Sequence, residues 1–200
     1  LIALVRSGTD VQKEKAAGAL GNLAVNDDNE AAIARAGGIE PLIALVRSGT
    51  DLQKENAAGA LYLVSVNVNN KAAIARAGGI EPLIALVRSG TDLQKEKAAG
   101  ALWNLAVNDD NQAAIARAGG IEPLIALVRS GTDRQKENAA GALRNLAVNA
   151  DNKAAIASAK VALDKERDDE CVVVGERTRE QKDAEGRKHA IDVDEETPRK

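Results

Sequence analysis

The 200-residue chain is 44% hydrophobic and 28% charged, with a formal net charge of −3. That is apolar mass for one ordinary core, and too little charge imbalance to signal a general affinity for nucleic acid or an anionic membrane. There is no Phe or Met, so burial must rely on Ala, Leu, Ile and Val, which suits closely packed helices.

No apolar run approaches the roughly 20 residues that span a bilayer, and no signal-peptide pattern opens the chain. The single cysteine, Cys171, excludes an intrachain disulfide and fits an intracellular compartment, cytoplasmic or nuclear. The chain starts at Leu1 in mid-pattern, which reads as a fragment of a longer array.

The string LIALVRSGTD begins at Leu1, Leu42, Leu83 and Leu124, starts that are 41 residues apart. A period of that length belongs to a solenoid. In chain order, one unit starts with a short helix, EAAIARA over 30–36, stopped by Gly37 and Gly38. A second helix, IEPLIALVR, carries Pro41 in its first turn, where a missing N–H is tolerated, and SGT ends it.

The third helix starts at Thr50, which with Gln53 has the spacing of a capping box, repeated as Thr9 with Gln12, Thr91 with Gln94 and Thr132 with Gln135. Leu42, Leu45 and Val46 on the second helix and Ala57, Leu61 and Val64 on the third recur at three and four residues and give each helix a buried stripe. No unit can bury both stripes alone, so the units must stack.

The copies divide into a constant frame and a varying face. At about 100° per residue, Leu93, Lys97, Gly100, Asn104 and Asn108 share one stripe of the third helix and Trp103 borders it. Leu102, Leu105, Ala98 and Ala106 fall opposite, on the packed face. Copies differ mostly on the stripe and its border: Val11, Leu52, Leu93 and Arg134 at one position, Lys15, Asn56, Lys97 and Asn138 at another, Gly21, Tyr62, Trp103 and Arg144 at a third.

The three-helix unit, the Gly-Gly corner, GGIEPLIALVRSG and AAGALxNLA together resemble the armadillo repeat of the β-catenin and importin-α type, over about 1–157. HEAT repeats have a similar period but lack the separate short helix before the corner. The resemblance implies an all-α, right-handed armadillo-type solenoid whose third helices line a concave groove.

It also implies that an Asn near the middle of each third helix holds the backbone of an extended peptide. Asn22, Asn104 and Asn145 match, and Leu63 stands there in the second unit. An Asn amide offers a donor and an acceptor, the complement of a peptide group; the alternative is that these residues tie adjacent helices together. Side-chain selectivity then falls to Lys15, Asn56, Tyr62, Leu63, Lys97, Trp103, Arg134, Asn138 and Arg144. The importin-α subfamily has Trp four residues before the Asn, where this chain has Gly18, Gly59, Gly100 and Gly141. Without that Trp array, and with cations on or beside the groove, a neutral or acidic peptide is expected rather than a basic one. Glu14, Glu55, Glu96 and Glu137 weaken that bias.

No enzyme chemistry emerges. His189 and Cys171 stand apart in a polar tail, so neither a catalytic triad nor a His/Cys metal set can be assembled, and no cofactor motif is present. NDDN at Asn26 and Asn108 lacks the Gly and distal Glu of a calcium loop and reads as helix capping. The expected organisation is a repeat array over 1–163, closed by a capping helix at about 153–167 that uses Ile156 and Leu163, and a charged, disordered tail over 168–200, in which 172–174 is the one candidate docking segment. Leu1, Leu4 and Val5 have no preceding unit to pack on, which makes a structural spacer, or a segment of a longer array that self-associates end to end, the competing role. A nuclear-transport adaptor is a weaker third reading.

Overall fold

The computed structural model describes residues 1–162 and 164, and among them every regular element is a helix. The chain opens with α1 (Ile2–Ser7) and α2 (Asp10–Leu23). Three complete units follow: α3 (Asp27–Arg35), α4 (Ile39–Ser48) and α5 (Asp51–Val64); α6 (Val68–Arg76), α7 (Ile80–Ser89) and α8 (Asp92–Leu105); α9 (Asp109–Arg117), α10 (Ile121–Ser130) and α11 (Asp133–Leu146). A further helix, α12, runs over 150–162. The compact unit that holds the repeats is Leu1–Ala159. The expected tail, its 172–174 segment, Cys171, His189 and the side chain of Leu163 lie outside the described residues; Ile156 is half-buried.

The short helices begin three residues earlier than the sequence suggests. Asn26 caps α3 by accepting from the Asp28 amide, and Asn67 and Asn108 do the same for α6 and α9, which draws the preceding polar residues into the first turn. Each short helix ends in a left-handed glycine. At Gly37, with φ of 73°, the Gly38 N–H reaches back to the Ile33 carbonyl and the Gly37 N–H to that of Ala34. Gly38 is needed for space, since a Cβ there would lie 2.8 Å from Ile33 Cγ2.

All four capping boxes form, and three of their glutamines do a second job. Gln53 Nε2 donates to the Asp10 carbonyl and carboxylate at 3.0 and 3.1 Å, and Gln94 and Gln135 reach Asp51 and Asp92 in the same way. A second set of buried amides stitches the short helices. Asn70 Nδ2 donates to the Glu30 and Val64 carbonyls, Asn111 to those of Lys71 and Leu105, and Asn152 to that of Gln112. These ties give the buried amides the partners that stacking takes from water, where an unpaired amide would cost about 1 to 3 kcal/mol.

The core is the expected one. Leu42, Leu61, Val64, Ile74, Leu83, Leu102, Ile115 and Leu124 are fully buried. One expectation at the first helix is corrected: Leu1 and Leu4 are exposed, but Val5 is 2% exposed because α1 packs on both α2 and α4.

A lysine sits where neighbouring units carry Glu30 and Gln112. Lys71 is buried, and its Nζ donates to the Ser65 and Val66 carbonyls at 2.5 and 3.1 Å. Burial pushes its pKa down, opposed by attraction to Glu30; the Glu30 carboxyl is itself pushed up by burial and by Asp27. A lysine whose folded pKa lies below its unfolded value weakens the fold while both states are protonated, and that penalty lifts as pH rises from the folded pKa toward about 10.4. Gln112 reaches the equivalent Ala106 carbonyl without a charge. Lys71→Gln should therefore remain within about 1 kcal/mol of the parent at neutral pH, and should lack the gain that the parent shows on going alkaline. Urea unfolding across that pH window checks it; parallel profiles for the two proteins would remove the buried charge as the cause.

Candidate functional site

The 14-residue helices α2, α5, α8 and α11 pack side by side in chain order. Their packed face is as the wheel assigns it: Ala98, Leu102, Leu105 and Ala106 are fully buried, while Leu93 on the opposite stripe is 49% exposed. Across α2, α5 and α8 the exposed side forms a concavity of about 320 Å³. It gathers Asn22, Asn56, Tyr62, Leu63 and Lys97 from the residues singled out in the sequence, together with Glu55, Ala60 and the glycines at 18, 21 and 59.

The Asn ladder is anchored from behind. Asn104 Nδ2 donates to the Tyr62 carbonyl and to Ser65 Oγ, both at 3.1 Å, and Asn145 Nδ2 to the Trp103 carbonyl at 3.2 Å. Both tie their helix to the preceding third helix, and both remain half-buried. An amide anchored through nitrogen still has an oxygen able to accept a bond. Asn22, on the first third helix, is exposed.

Two turns earlier, Asn56 Nδ2 donates to the Glu14 carbonyl at 3.3 Å and Asn138 Nδ2 to the Glu96 carbonyl at 2.9 Å. At the same position Lys15 pairs with Glu14 and Lys97 with Glu96, each at 2.9 Å. Two of the groove's cations are thus offset by glutamates of their own helices. Arg134 and Arg144 are exposed and form no ion pair among the described residues.

The aromatic residues explain the glycines. A Cβ on Gly141 would lie 2.6 Å from Trp103 Cδ2 and Cε2, and one on Gly100 would lie 3.0 Å from Tyr62 Cε2. Each ring therefore lies on a glycine of the next third helix. Gly100, read on the wheel as part of the exposed stripe, is buried because Tyr62 and Asn138 cover it. The face is not stripped of aromatics where importin-α has Trp; here rings enter from the neighbouring unit, and the glycine is their seat.

Sequence reasoning missed one surface row. Val25, Val66, Val107 and Val148, each just past the end of a third helix, are 71%, 52%, 58% and 76% exposed. The signal was an apolar letter recurring every 41 residues outside any helical stripe.

The family model for the armadillo/beta-catenin-like repeat matches residues 26–65, 67–107 and 108–148. The chain belongs to the armadillo repeat family. Its architecture is the right-handed α-solenoid of that family. Two crystal structures of engineered proteins are 32% and 34% identical, with TM-scores of 0.75 and 0.76; the match covers 80% of this chain, and the chain spans 66% and 40% of their lengths. A designed armadillo repeat protein in complex with the peptide (KR)4 is 22% identical, with a TM-score of 0.75 over 83% of this chain and 71% of its own. No curated protein matches the sequence. The armadillo fold is typically a non-enzymatic binding scaffold. Among the described residues no group of three His, Cys, Asp or Glu is placed to hold a metal ion, and no helix is long and apolar enough to cross a membrane.

Proposed function

We propose that this armadillo array is an enzymatically inert, intracellular scaffold, cytoplasmic or nuclear, that holds an extended segment of a partner protein along α2, α5, α8 and α11. The observation that carries this reading is that Asn22, Asn56, Tyr62, Leu63 and Lys97, at positions that vary between otherwise constant copies, line one concavity. Asn22, Asn104 and Asn145 meet the partner's main chain through their amides, and Lys15, Asn56, Tyr62, Leu63, Lys97, Trp103, Arg134, Asn138 and Arg144 select its side chains. Two residues of extended chain advance about 7 Å, near the 8 to 10 Å spacing of packed helices.

Charge complementarity favours a neutral segment over the first three units, where Lys15 and Lys97 are already paired, and acidic residues beside Arg134 and Arg144. The (KR)4 ligand of the designed relative is basic, so a Lys-rich peptide is the informative control: tight binding would favour a nuclear-transport adaptor. End-to-end self-association is the second reading, favoured by the exposed Leu1 and Leu4. A designed cap on α1 and α2 that yields a monomer with undiminished peptide capture would remove it. The array is assigned to 1–163 with its cap near 153–167.

The ladder itself is tested by calorimetric titration with a long and a short version of one peptide selected by display. Asn104→Ala should weaken every peptide by about 0.5 to 1.5 kcal/mol, whereas Leu63→Asn should strengthen only peptides long enough to cross α5. Equal effects of Leu63→Asn on both lengths would assign these positions to helix packing alone.

A further inference from the structure

The seats of the two rings make an unequal series. Trp103 covers Gly141 and Tyr62 covers Gly100, each ring lying on the glycine 38 positions ahead of it. The next member of that series is Gly21, which has no ring to lay on Gly59. A Cβ on Gly59 would meet only the Lys97 stem, at 3.9 Å. The concavity of about 320 Å³ lies at this step. It is open where the other two steps are filled.

We propose that this concavity is an aromatic-specificity pocket, taking one Trp or Tyr side chain of the partner segment, which lies on Gly59 as Tyr62 lies on Gly100. The chain itself shows what its frame accepts at this step, because the same helix geometry carries an aromatic ring at both equivalent places. The walls suit a flat, polarisable guest. Tyr62 lines the concavity with an aromatic ring suited to an offset or edge-to-face contact, and the Lys97 stem gives an apolar flank whose ammonium is attracted to the face of a ring. Asn22 and Asn56 supply amide oxygens at the rim for the guest's own peptide group or for an indole N–H. A lysine or arginine guest would find Lys97 already paired with Glu96 on one side and Glu55 on the other, and would forgo the stacking area that a ring gains. The pocket rests on the groove reading above and adds to it the identity of one partner residue.

The test uses the intact chain and a single capped residue, so that it does not depend on peptide backbone binding. N-acetyl-tryptophanamide, titrated into isotope-labelled protein, should give saturable amide shifts centred on Gly18, Gly59 and Lys97. Its affinity should exceed those of N-acetyl-leucinamide and N-acetyl-lysinamide by about tenfold, as expected of an aromatic anchor. Gly21→Trp should abolish that binding by filling the pocket from within; a Cβ at Gly21 meets Ala60 at 3.6 Å, an ordinary contact, and the equivalent positions already carry Tyr62 and Trp103. Gly59→Leu fills the same space from the floor and should act alike. Absence of saturable shifts, equal affinity for the leucine probe, or undiminished binding in a folded Gly21→Trp protein would each overturn the pocket. Peptides that still bind the groove with no preference for an aromatic residue would overturn it while leaving the scaffold reading in place.

Discussion

Replacing Leu102 by alanine should destabilise the array by about 2 to 5 kcal/mol, because a fully buried side chain leaves a cavity that its surroundings close only in part. Trp103→Ala, one residue on, should cost less, about 1 to 3 kcal/mol. The ring is half-buried and lies on Gly141. Its seat makes the loss larger than that of a freely exposed groove residue, which the helical wheel alone would suggest. Denaturant unfolding followed by circular dichroism measures both, and a repeat array can respond by losing cooperativity as well as midpoint. Losses of equal size would place Trp103 in the packed frame rather than over the groove.

The same Gly→Ala change should have opposite signs at two equivalent positions. At Gly59 a new Cβ meets only the Lys97 stem at 3.9 Å, so the helix-propensity gain of up to about 1 kcal/mol is realised. At Gly141 it would lie 2.6 Å from two Trp103 ring carbons. The ring must leave its seat, and Gly141→Ala should lose about 1 to 3 kcal/mol despite the better helix former. Trp103 is the sole tryptophan, so its displacement toward water should appear as a red shift of protein fluorescence. Combining Gly141→Ala with Trp103→Ala should recover the propensity gain, leaving a coupling between neighbours that no sum of single changes predicts. A Gly141→Ala protein that is stabilised, with unchanged emission, would mean that the ring does not rest there.

Much of the fold was legible because its signals are local. Thr50 with Gln53, Gly37 with Gly38, and Pro41 each fix a helix boundary through groups within five residues of one another, so their spacing is visible in the chain. The start of the short helices was less legible, since the polar run Asp27 to Asn29 carries no apolar period and only the Asn26 cap draws it into helix. The candidate groove was legible as a variable face, and five of its residues do meet around one concavity. The roles of Asn70, Asn111 and Asn152 were not, because each binds a carbonyl about 40 residues away that no local pattern reveals.

By itself the sequence determined a 41-residue, three-helix unit, the boundaries of its two longer helices and its frame, since capping, turn chemistry and apolar period all act within one unit. Only the tertiary structure decided what lies between units. It put Tyr62 and Trp103 onto glycines of the following helix and left Gly59 uncovered, and it turned the capping glutamines into ties to the preceding aspartates. These are contacts between side chains separated by one repeat, where the distance across the stack, not the distance along the chain, sets which groups meet.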